Sequence, residues 1–563
     1  MNAIREELSE VAEEQYVIGI DFGTLSGRAL VVRTSDGAEL GTAVASYSNG
    51  VMDDELSAAD GQKLPAEFAL QDPNDYRVAT EEAVRGAVQD AGIDPAKVVG
   101  IGIDFTSATV LACKNDGTPL CEIDEYRNNP HAWVKLWKHH GGVAEANRIV
   151  EVARERGEDW LGRYGGILNS EMGLPKALET FNKAPEVYEA TDVFCNALDW
   201  IIWWLTGELQ YSAANAGYKF NWQDGTYPSE DFLREVAPGF EGVFKEKLTA
   251  PIIPLGARAG GLTEEMAERL GLRPGIAVAT GNIDAHVAAA AVQGLEPGQL
   301  TAIMGTSNCY VISDEQLVEV PGVFGVVDGG IIDGLWGYEA GQSAVGDIFA
   351  WFIDNCVPAS YFEEAERRGI DIHELLSELG AQQAVGEHGL VGLDWHNGNR
   401  SVLSDASLTG LLVGQTLATK PEDQYRALVE STAFGARTII ESFRNAGIAV
   451  NELIACGGVT KNRWIMQMYC DICRVPLSVG ETVQTGSLGS AVFAAVAAGV
   501  YPDARAASEA MGSKAPNAYS VDEERAAKYD ELFAIFTQLH EYFGREHKDI
   551  MHSLRDMRRA ARA

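Results

Sequence analysis

The stretch at residues 16–32 constrains this chain most, because it places two short apolar runs around a glycine-rich turn. This pattern predicts a strand, a tight turn and a second strand. Glycines at positions 23 and 27 allow the turn to point several backbone amides at one place, which suits a phosphate group. Asp21, at the end of the first strand, can hold Mg²⁺ directly or through water. The alternative interpretation is an ordinary hairpin with a surface Asp21.

A second copy of this pattern lies near the middle of the chain. An apolar run at 300–304 leads into the turn Gly305-Thr306-Ser307, and a returning strand follows at 309–312. Similar patterns in the two halves of a chain indicate a duplication with paired domains. The length of 563 residues also exceeds what one hydrophobic core supports, so we expect two domains.

The charge and composition exclude several classes of protein. The net charge is −38, from 82 acidic and 44 basic residues, and such a surface repels nucleic acid and anionic membranes. No apolar run approaches the roughly 18 residues of a membrane-spanning helix. The segment 1–14 is acidic without an apolar core, so we interpret it as a short extension and not as a signal peptide. We therefore expect a cytoplasmic protein.

The eight cysteines do not form a metal-binding pattern. The close pair, Cys470 and Cys473, has no second CxxC to complete a zinc site. We expect all eight to be reduced thiols, as is usual in the cytoplasm.

Several further strands are expected to end in polar or glycine residues, where α/β sheets bind ligands. The strand 98–104 leads into Thr106, Ser107 and Ala108. The strand 276–279 leads to Asp284, which lies near the start of a small-residue helix. The strand 453–456 ends in Gly457-Gly458, where a flat base could lie against bare backbone.

The local pattern assigns three other polar residues to ordinary positions. Lys219 lies in a loop-like stretch, where a solvated lysine is expected. His286 stands beside alanines and favours a structural interpretation, although it could be a ligand. Glu339 directly precedes a helix that we expect to begin at Gly341.

Two familiar kinase classes do not fit the sequence. The pattern GxxxxGK[ST] is absent, so the chain is not a P-loop protein. Residues 21–23 read Asp-Phe-Gly, but no His-Arg-Asp occurs, which argues against a eukaryotic-type protein kinase.

Taken together and in order, the motifs of residues 16–545 resemble the FGGY carbohydrate kinases, which have the actin–hexokinase–Hsp70 fold. Single motifs are weak, but their order and spacing are specific. The motifs are Asp21-Phe22-Gly23-Thr24 with Arg28, Asp104-Phe105-Thr106, Asn129-Pro130, Leu136-Trp137-Lys138-His139, Ala216-Gly217-Tyr218-Lys219, Asp284-Ala285-His286, Gly305-Thr306-Ser307, the run from Glu339 to Ile348, and Gly457-Gly458 with Asn462.

The resemblance implies an α/β fold with two actin-like (RNase H-like) ATPase domains around a central cleft. The sugar-binding domain would span 16–288 and the ATP-binding domain 289–545, with a hinge near 285–295. Terminal extensions would cover 1–15 and 546–563.

The resemblance also assigns roles to individual residues. Asp284 is the expected catalytic base, and Asp21 is the carboxylate associated with Mg²⁺. The expected sugar contacts are Thr106, Ser107, Ala108, Lys219, Asp284 and Glu339. The expected ATP contacts are Gly23, Thr24, Arg28, Gly305, Thr306, Ser307, Gly457, Gly458 and Asn462.

The implied reaction is phosphorylation of L-ribulose by ATP, with Mg²⁺ as cofactor and without a nucleic-acid or membrane partner; the resemblance allows a homodimer. Xylulose or another pentulose or pentitol is the alternative substrate. Two other classes stay open at this point. A chaperone-type or filament-forming actin relative would share the phosphate turns but would not need Asp284, Lys219 and Glu339. A non-catalytic sugar sensor would be expected to lose Asp21 or Asp284.

Overall fold

The computed structural model describes residues 14–561, so the expectation for the extension at 1–13 lies outside the described residues. Within the part of the chain that is described, no helix is long and apolar enough to cross a membrane.

The first half of the chain alternates strands and helices. Its strands are β1 (Tyr16–Phe22), β2 (Ser26–Arg33), β3 (Glu39–Ser46), β4 (Leu70–Gln71), β5 (Val98–Phe105), β6 (Val110–Cys113), β7 (Val134–Lys135), β8 (Val193–Asn196), β9 (Tyr211–Ser212), β10 (Ile252–Ile253), β11 (Arg258–Gly261), β12 (Ala277–Ala279) and β13 (Asn282–Ile283). Its helices are α1 (Pro73–Ala91), α2 (Val143–Arg156), α3 (Gly173–Lys183), α4 (Pro185–Ala190), α5 (Ala197–Thr206), α6 (Ala213–Phe220), α7 (Glu230–Val236), α8 (Val243–Lys247), α9 (Glu264–Leu270) and α10 (Asp284–Ala291).

The second half begins with another pair of antiparallel strands. Its strands are β14 (Gln299–Met304), β15 (Asn308–Asp314), β16 (Gly325–Asp328), β17 (Trp336–Gln342), β18 (Val391–Leu393), β19 (Leu411–Val413), β20 (Glu452–Cys456), β21 (Leu477–Gly480) and β22 (Lys514–Tyr519). Its helices are α11 (Gly346–Cys356), α12 (Ala359–Arg368), α13 (Ile372–Ala381), α14 (Pro421–Asn445), α15 (Arg463–Cys473), α16 (Thr485–Ala497), α17 (Ala504–Met511), α18 (Glu523–Glu541) and α19 (Asp549–Ala560).

The two halves build sheets of the same topology. In the first sheet the strand order is β11-β12-β5-β1-β2-β3, and in the second it is β16-β17-β15-β14-β20-β21-β22. In each sheet the opening strand pairs antiparallel with the next strand and parallel with a later one: β1 with β2 and β5, and β14 with β15 and β20. The duplication expected from the sequence is therefore confirmed.

Local sequence explains where α1 begins and ends. The Asp72 side chain accepts a hydrogen bond from the backbone N–H of Asn74, and Pro73 occupies the first turn. Gly92, with φ of 62°, ends the helix in the left-handed conformation. Small residues on its inner face, among them Ala79 and Ala83, pack it on β2 and β3.

The second half of the chain also contributes a helix to the first half. Helix α16, from late in the chain, packs on β1 and β5 of the first sheet and against α10. Glycines permit this close approach: a methyl group on Gly19 would lie 1.7 Å from the Ser487 carbonyl oxygen, and one on Gly102 would lie 1.9 Å from that of Ser490. The first sheet is thus covered on one face by residues from the second half.

The structure corrects two sequence expectations about the elements around the cleft. Lys219 does not lie in a loop but in the last turn of α6, where it is buried. The helix expected from Gly341 begins only at Gly346, because the preceding strand β17 continues to Gln342 through its pairing with β15. Glu339 is consequently a strand residue.

Candidate active site

Two carboxylates stand side by side at the ends of the central strands of the first sheet. Asp21 on β1 and Asp104 on β5 are partners in the parallel ladder. Their shared face points at α16: a methyl group on Gly486 would lie 2.9 Å from the Asp21 carboxyl carbon and 3.3 Å from Asp104 Oδ1.

Only one oxygen of Asp104 has a protein partner among the described residues. Ser490 Oγ on α16 donates a hydrogen bond of 2.6 Å to Asp104 Oδ2, while Oδ1 is buried and unpartnered. Burial and the neighbouring Asp21 charge raise the pKa of Asp104 well above its usual range, and burial also raises the pKa of Asp21. Such a pair is stabilised by a proton or by a cation.

Asp284 is the first residue of α10 and lies near this pair. Its Oδ1 accepts a hydrogen bond of 2.8 Å from the Ala285 backbone N–H. Burial, followed by the charge of Asp21, raises the pKa of Asp284 to about 7. A carboxylate with this pKa is suited to accept a proton near neutral pH.

Lys219, Glu339 and His286 form a buried polar cluster beside Asp284. Lys219 Nζ lies 3.6 Å from Glu339 Oε2, and His286 Nε2 lies 3.2 Å from the same oxygen. Burial would raise the pKa of Glu339, but the Lys219 charge and the His286 hydrogen bond hold it well below its usual range. Glu339, from the second half of the chain, is therefore an ionised acceptor held by two residues of the first half.

The loop after β5 carries the other residues predicted to contact the sugar. Thr106 N–H donates to the Phe22 carbonyl at 3.1 Å, and the Thr106 and Thr109 hydroxyls are hydrogen-bonded at 2.8 Å. Ser107 lies between Thr106 and Ala108, whose φ of 50° is left-handed. The buried Lys176 ammonium donates to the Ala108 carbonyl at 2.6 Å and so fixes this turn.

The first glycine turn closes as the sequence predicted. Gly23 N–H donates to the Ser26 carbonyl at 3.0 Å. The Thr24 hydroxyl accepts a hydrogen bond of 3.2 Å from the Trp137 indole, which ties the turn to a distant part of the first half. Arg28 lies opposite Asp21 in the antiparallel ladder of β1 and β2. Its charge lowers the pKa of that carboxyl against the effect of burial.

The second glycine turn is joined to the start of α11. Gly305 N–H donates to the Ser307 carbonyl at 3.0 Å, while the Gly305 carbonyl accepts from Gly346 N–H at 3.0 Å. The Thr306 carbonyl accepts from Val345 N–H at 2.7 Å. A methyl group on Gly305 would meet nothing closer than 3.8 Å, so the space in front of the turn is open.

The third glycine turn follows β20. Gly457 has a φ of 95°, and a methyl group there would lie 2.5 Å from the Met304 carbonyl, so only glycine fits. Gly458 has open space in front of it. Asn462 caps α15 by accepting from the backbone N–H groups of Trp464 and Ile465, and its amide nitrogen donates to Ser377. The structure thus gives Asn462 a structural task, and its contact with a nucleotide stays a prediction.

Sequence reasoning left four polar residues of this region out of the expected site. Asp104 appeared there as part of a motif at a strand end, and its pairing with Asp21 required the strand register. Lys176 and Arg400 were not singled out at all, since a lysine in a helix and an arginine in a loop carry no local signal. His286, for which a structural role was favoured and a ligand role left open, is hydrogen-bonded to Glu339.

Comparison with known proteins identifies the class of protein. The N-terminal domain model of the FGGY family of carbohydrate kinases matches residues 16–291, and the C-terminal domain model matches residues 300–498. The chain belongs to the FGGY family of carbohydrate kinases. It is a carbohydrate kinase with the two-domain actin-like fold of that family.

Two relatives with high sequence identity to this chain carry the same name. A protein named Ribulokinase from Mycolicibacterium smegmatis is 53% identical over 97% of this chain and 96% of its own length. A Ribulokinase from Geobacillus thermodenitrificans is 47% identical over 98% of both chains.

Solved structures of other sugar kinases share the fold. Gluconate kinase from Lactobacillus acidophilus superposes with a TM-score of 0.78 at 18% identity, covering 96% of this chain and all of its own. Xylulose kinase from Rhodospirillum rubrum gives a TM-score of 0.77 at 21% identity, with 96% and 100% coverage. At these identities the likeness concerns the fold alone.

Proposed function

We propose that this chain transfers the terminal phosphoryl group of ATP to L-ribulose, giving L-ribulose 5-phosphate and ADP. The observation that carries the choice of sugar is the 53% and 47% identity, over nearly the whole chain, to proteins named Ribulokinase. The geometry supports it, because Asp284 and the two glycine turns each follow a strand, and the buried Lys219–Glu339 ion pair lies close to Asp284.

Asp284 is the proposed general base. In its ionised form it accepts the proton of the attacking sugar hydroxyl, while the oxygen forms a bond to phosphorus and the bond to ADP breaks. Its pKa of about 7 places proton acceptance within the physiological range. The Ala285 N–H keeps one oxygen fixed, so the other is free to face the substrate.

Lys219 and Glu339 are the proposed groups that select the sugar. Lys219 donates only and ionised Glu339 accepts only, so together they recognise hydroxyl groups in a defined orientation. Their separation of 3.6 Å leaves both groups incompletely satisfied. The loop at Thr106, Ser107 and Ala108 would form the wall of the sugar site opposite Lys219 and Glu339.

We assign the ATP phosphates to the space between the two glycine turns. Gly23, Thr24 and Arg28 would contact them from the first half, and Gly305, Thr306 and Ser307 from the second. The adenine would lie at Gly457 and Gly458, near Asn462. The open space before Gly305 and Gly458 supports this placement.

Asp21 fits a role in holding Mg²⁺, and Asp104 lies beside it. Mg²⁺ prefers carboxylate, water and phosphate oxygens and keeps several waters, so one or two protein carboxylates suffice. The unpartnered Asp104 Oδ1 supplies a further donor of the right chemistry. When bound with ATP, the ion neutralises phosphate charge.

The proposed domains are residues 16–288 and 289–545, with extensions at each end, and closure between them would exclude water from the transfer. A cytoplasmic location stays a prediction from the composition and the N-terminal segment, and a homodimer stays a prediction from the resemblance.

The test is a panel of pentuloses and pentitols in a coupled ADP assay. L-ribulose is expected to give the highest kcat/KM. A higher kcat/KM for xylulose or a pentitol would identify that compound as the substrate in place of L-ribulose. ATP turnover that does not respond to any sugar would remove the proposed reaction altogether.

A further inference from the structure

Arg400 has an unused guanidinium group at the edge of the candidate active site. The group is half-buried, and among residues 14–561 none of its nitrogens makes a hydrogen bond or an ion pair. The ring of Phe324 lies 5.3 Å from the guanidinium carbon. A cation in this state has its hydrogen-bonding capacity available for a ligand.

The backbone around Arg400 is fixed against β17. Gly341 N–H donates to Ser401 Oγ, and Ser401 N–H donates to the Gly341 carbonyl, each at 3.1 Å. Asn399 and Asp405 are joined by two further backbone hydrogen bonds. A methyl group on Gly341 would lie 2.9 Å from Arg400 Cδ and 3.1 Å from the Asn308 carbonyl oxygen, so the arginine packs closely on β17. The position of the arginine is therefore built into the fold.

The strand register places Arg400 between the expected sugar site and the second glycine turn. Glu339 and Gly341 are two residues apart, so they face the same side of β17, and Gly341 lies about 7 Å further along. Gln342, the next residue, pairs with Asn308, which directly follows the turn at 305–307. Arg400 therefore lies on the path from Glu339 toward the proposed phosphate turn.

The local charge favours an anionic ligand. Arg400 is close enough to Glu339 and Cys309 to lower the pKa of both groups against the effect of burial. Glu339 already has Lys219 as its ion-pair partner. The additional positive charge of Arg400 is therefore left without an anion of the protein.

We propose that Arg400 binds the phosphoryl group as it passes from ATP to the sugar, and holds the phosphate of the product. The planar guanidinium can donate two parallel hydrogen bonds to phosphate oxygens, whose charge is spread over the transferring group. Arg400 takes no proton in this step, since the hydroxyl proton goes to Asp284. This inference rests on the proposed function.

The experiment compares Arg400→Gln and Arg400→Lys with the unaltered chain. For Arg400→Gln we expect kcat to fall by about 10²-fold or more, the scale of arginines that stabilise phosphoryl transfer. The KM for the free sugar should stay within about threefold. Arg400→Lys should recover only part of the rate, because lysine retains the charge but lacks the planar pair of N–H donors.

Two further measurements exclude a merely structural role. By calorimetry, Arg400→Gln should weaken binding of the phosphorylated sugar at least tenfold and leave binding of the free sugar nearly unchanged. Added guanidinium ion should restore part of the lost rate in Arg400→Gln. Arg163→Gln is the matched control, since Arg163 also lies over a ring, that of Trp336, but is ion-paired with Asp224.

The outcomes separate this inference from the choice of sugar. The sugar used is whichever one the substrate panel favours, so failure of L-ribulose leaves the Arg400 comparison intact. An unchanged kcat in Arg400→Gln overturns the inference. Equal weakening of free and phosphorylated sugar also overturns it, because Arg400 would then be a sugar contact or a structural residue.

Discussion

The reactivity proposed for Asp284 depends on its surroundings, since an isolated aspartate would be a weak base at neutral pH. Burial and the nearby Asp21 raise its pKa, and the Ala285 N–H opposes that effect in part. Asp284→Asn retains the size of the side chain but cannot accept a proton. We expect kcat to fall by about 10²–10⁴, with sugar binding retained within about tenfold.

Rate measurements and calorimetry on Asp284→Asn check this expectation, and Asp21→Asn is the comparison variant. Asp21→Asn should instead change the Mg²⁺ concentration needed for half-maximal rate. A near-normal kcat in Asp284→Asn would remove it as the base, and Asp104 would be the next residue to test.

The pKa of Asp284 also predicts a pH dependence. The ionised form is the active one, so kcat/KM should rise with pH and level off above about 7. Below that value it should fall about tenfold for each pH unit, because the protonated fraction grows in that proportion. A pH–rate profile measured at saturating ATP tests this, and a profile that stays flat from about pH 5 to about pH 7 contradicts it.

Glu339 should act on the sugar and not on the nucleotide. Glu339→Gln keeps the volume but removes the charge that pairs with Lys219, leaving a buried cation without its partner. We expect kcat/KM for the sugar to fall by about 1–3 kcal/mol in activation free energy. ATP binding measured without sugar should be unchanged. Glu452→Gln, which loses an ion pair with Lys514 outside this cluster, is the control.

At the residue scale, the sequence indicated some site residues and missed others for identifiable reasons. Asp21 and Asp284 follow apolar strands, so their positions could be predicted from local pattern. The local pattern alone placed Lys219 in a solvated loop, and only the resemblance assigned it to the sugar site; in the structure the neighbouring Gly217 packs against Val327. Arg400 depends on contacts with β17 that no local pattern encodes.

At the element scale, the two glycine turns are predicted to serve the nucleotide. Gly305→Val should fold, because the nearest atom to a new Cβ is 3.8 Å away. Its branched methyl groups would fill the space assigned to phosphate. The apparent KM for ATP should therefore rise much more than that for the sugar, as initial-rate measurements with each substrate varied can show. An equal rise in both would indicate general misfolding.

The contact between α16 and the first sheet should be sensitive to a single methyl group. In Gly102→Ala the new carbon would lie 1.9 Å from the Ser490 carbonyl, so helix and sheet must separate. We expect a loss of about 1–3 kcal/mol in stability, the usual effect of overpacking, seen as a lower urea midpoint. Gly458→Ala, where the added carbon meets nothing within 4 Å, should leave the midpoint unchanged.

Elements with strong local signals were predicted well, and those that depend on pairing were not. Strands β5, β12, β14 and β20 are apolar runs and lie within a residue of their expected bounds. Strand β17 contains glycines and alanine in place of β-branched residues, so its end was mistaken for a helix. Its seven paired positions with β15 outweigh that weak propensity.

For the whole molecule, the net charge of −38 predicts a response to salt. Repulsion among like charges opposes the compact state, and raising the ionic strength from about 0.01 M to 0.15 M shortens its range from about 30 Å to 8 Å. The melting temperature should therefore rise across this interval, as scanning calorimetry can measure with a non-binding salt. A fall would mean that the surface ion pairs contribute more than the repulsion costs.

The packing of α16 on the first sheet also sets an order of events during synthesis. The strands of that sheet have all left the ribosome once residue 283 has emerged, but the helix that covers one of its faces begins about 200 residues later. At a synthesis rate of about 5–20 residues per second, that face stays uncovered for roughly 10–40 s. We therefore expect chaperones to shield this face in a nascent chain of this length. A gene fragment encoding only the first half should yield an aggregating product.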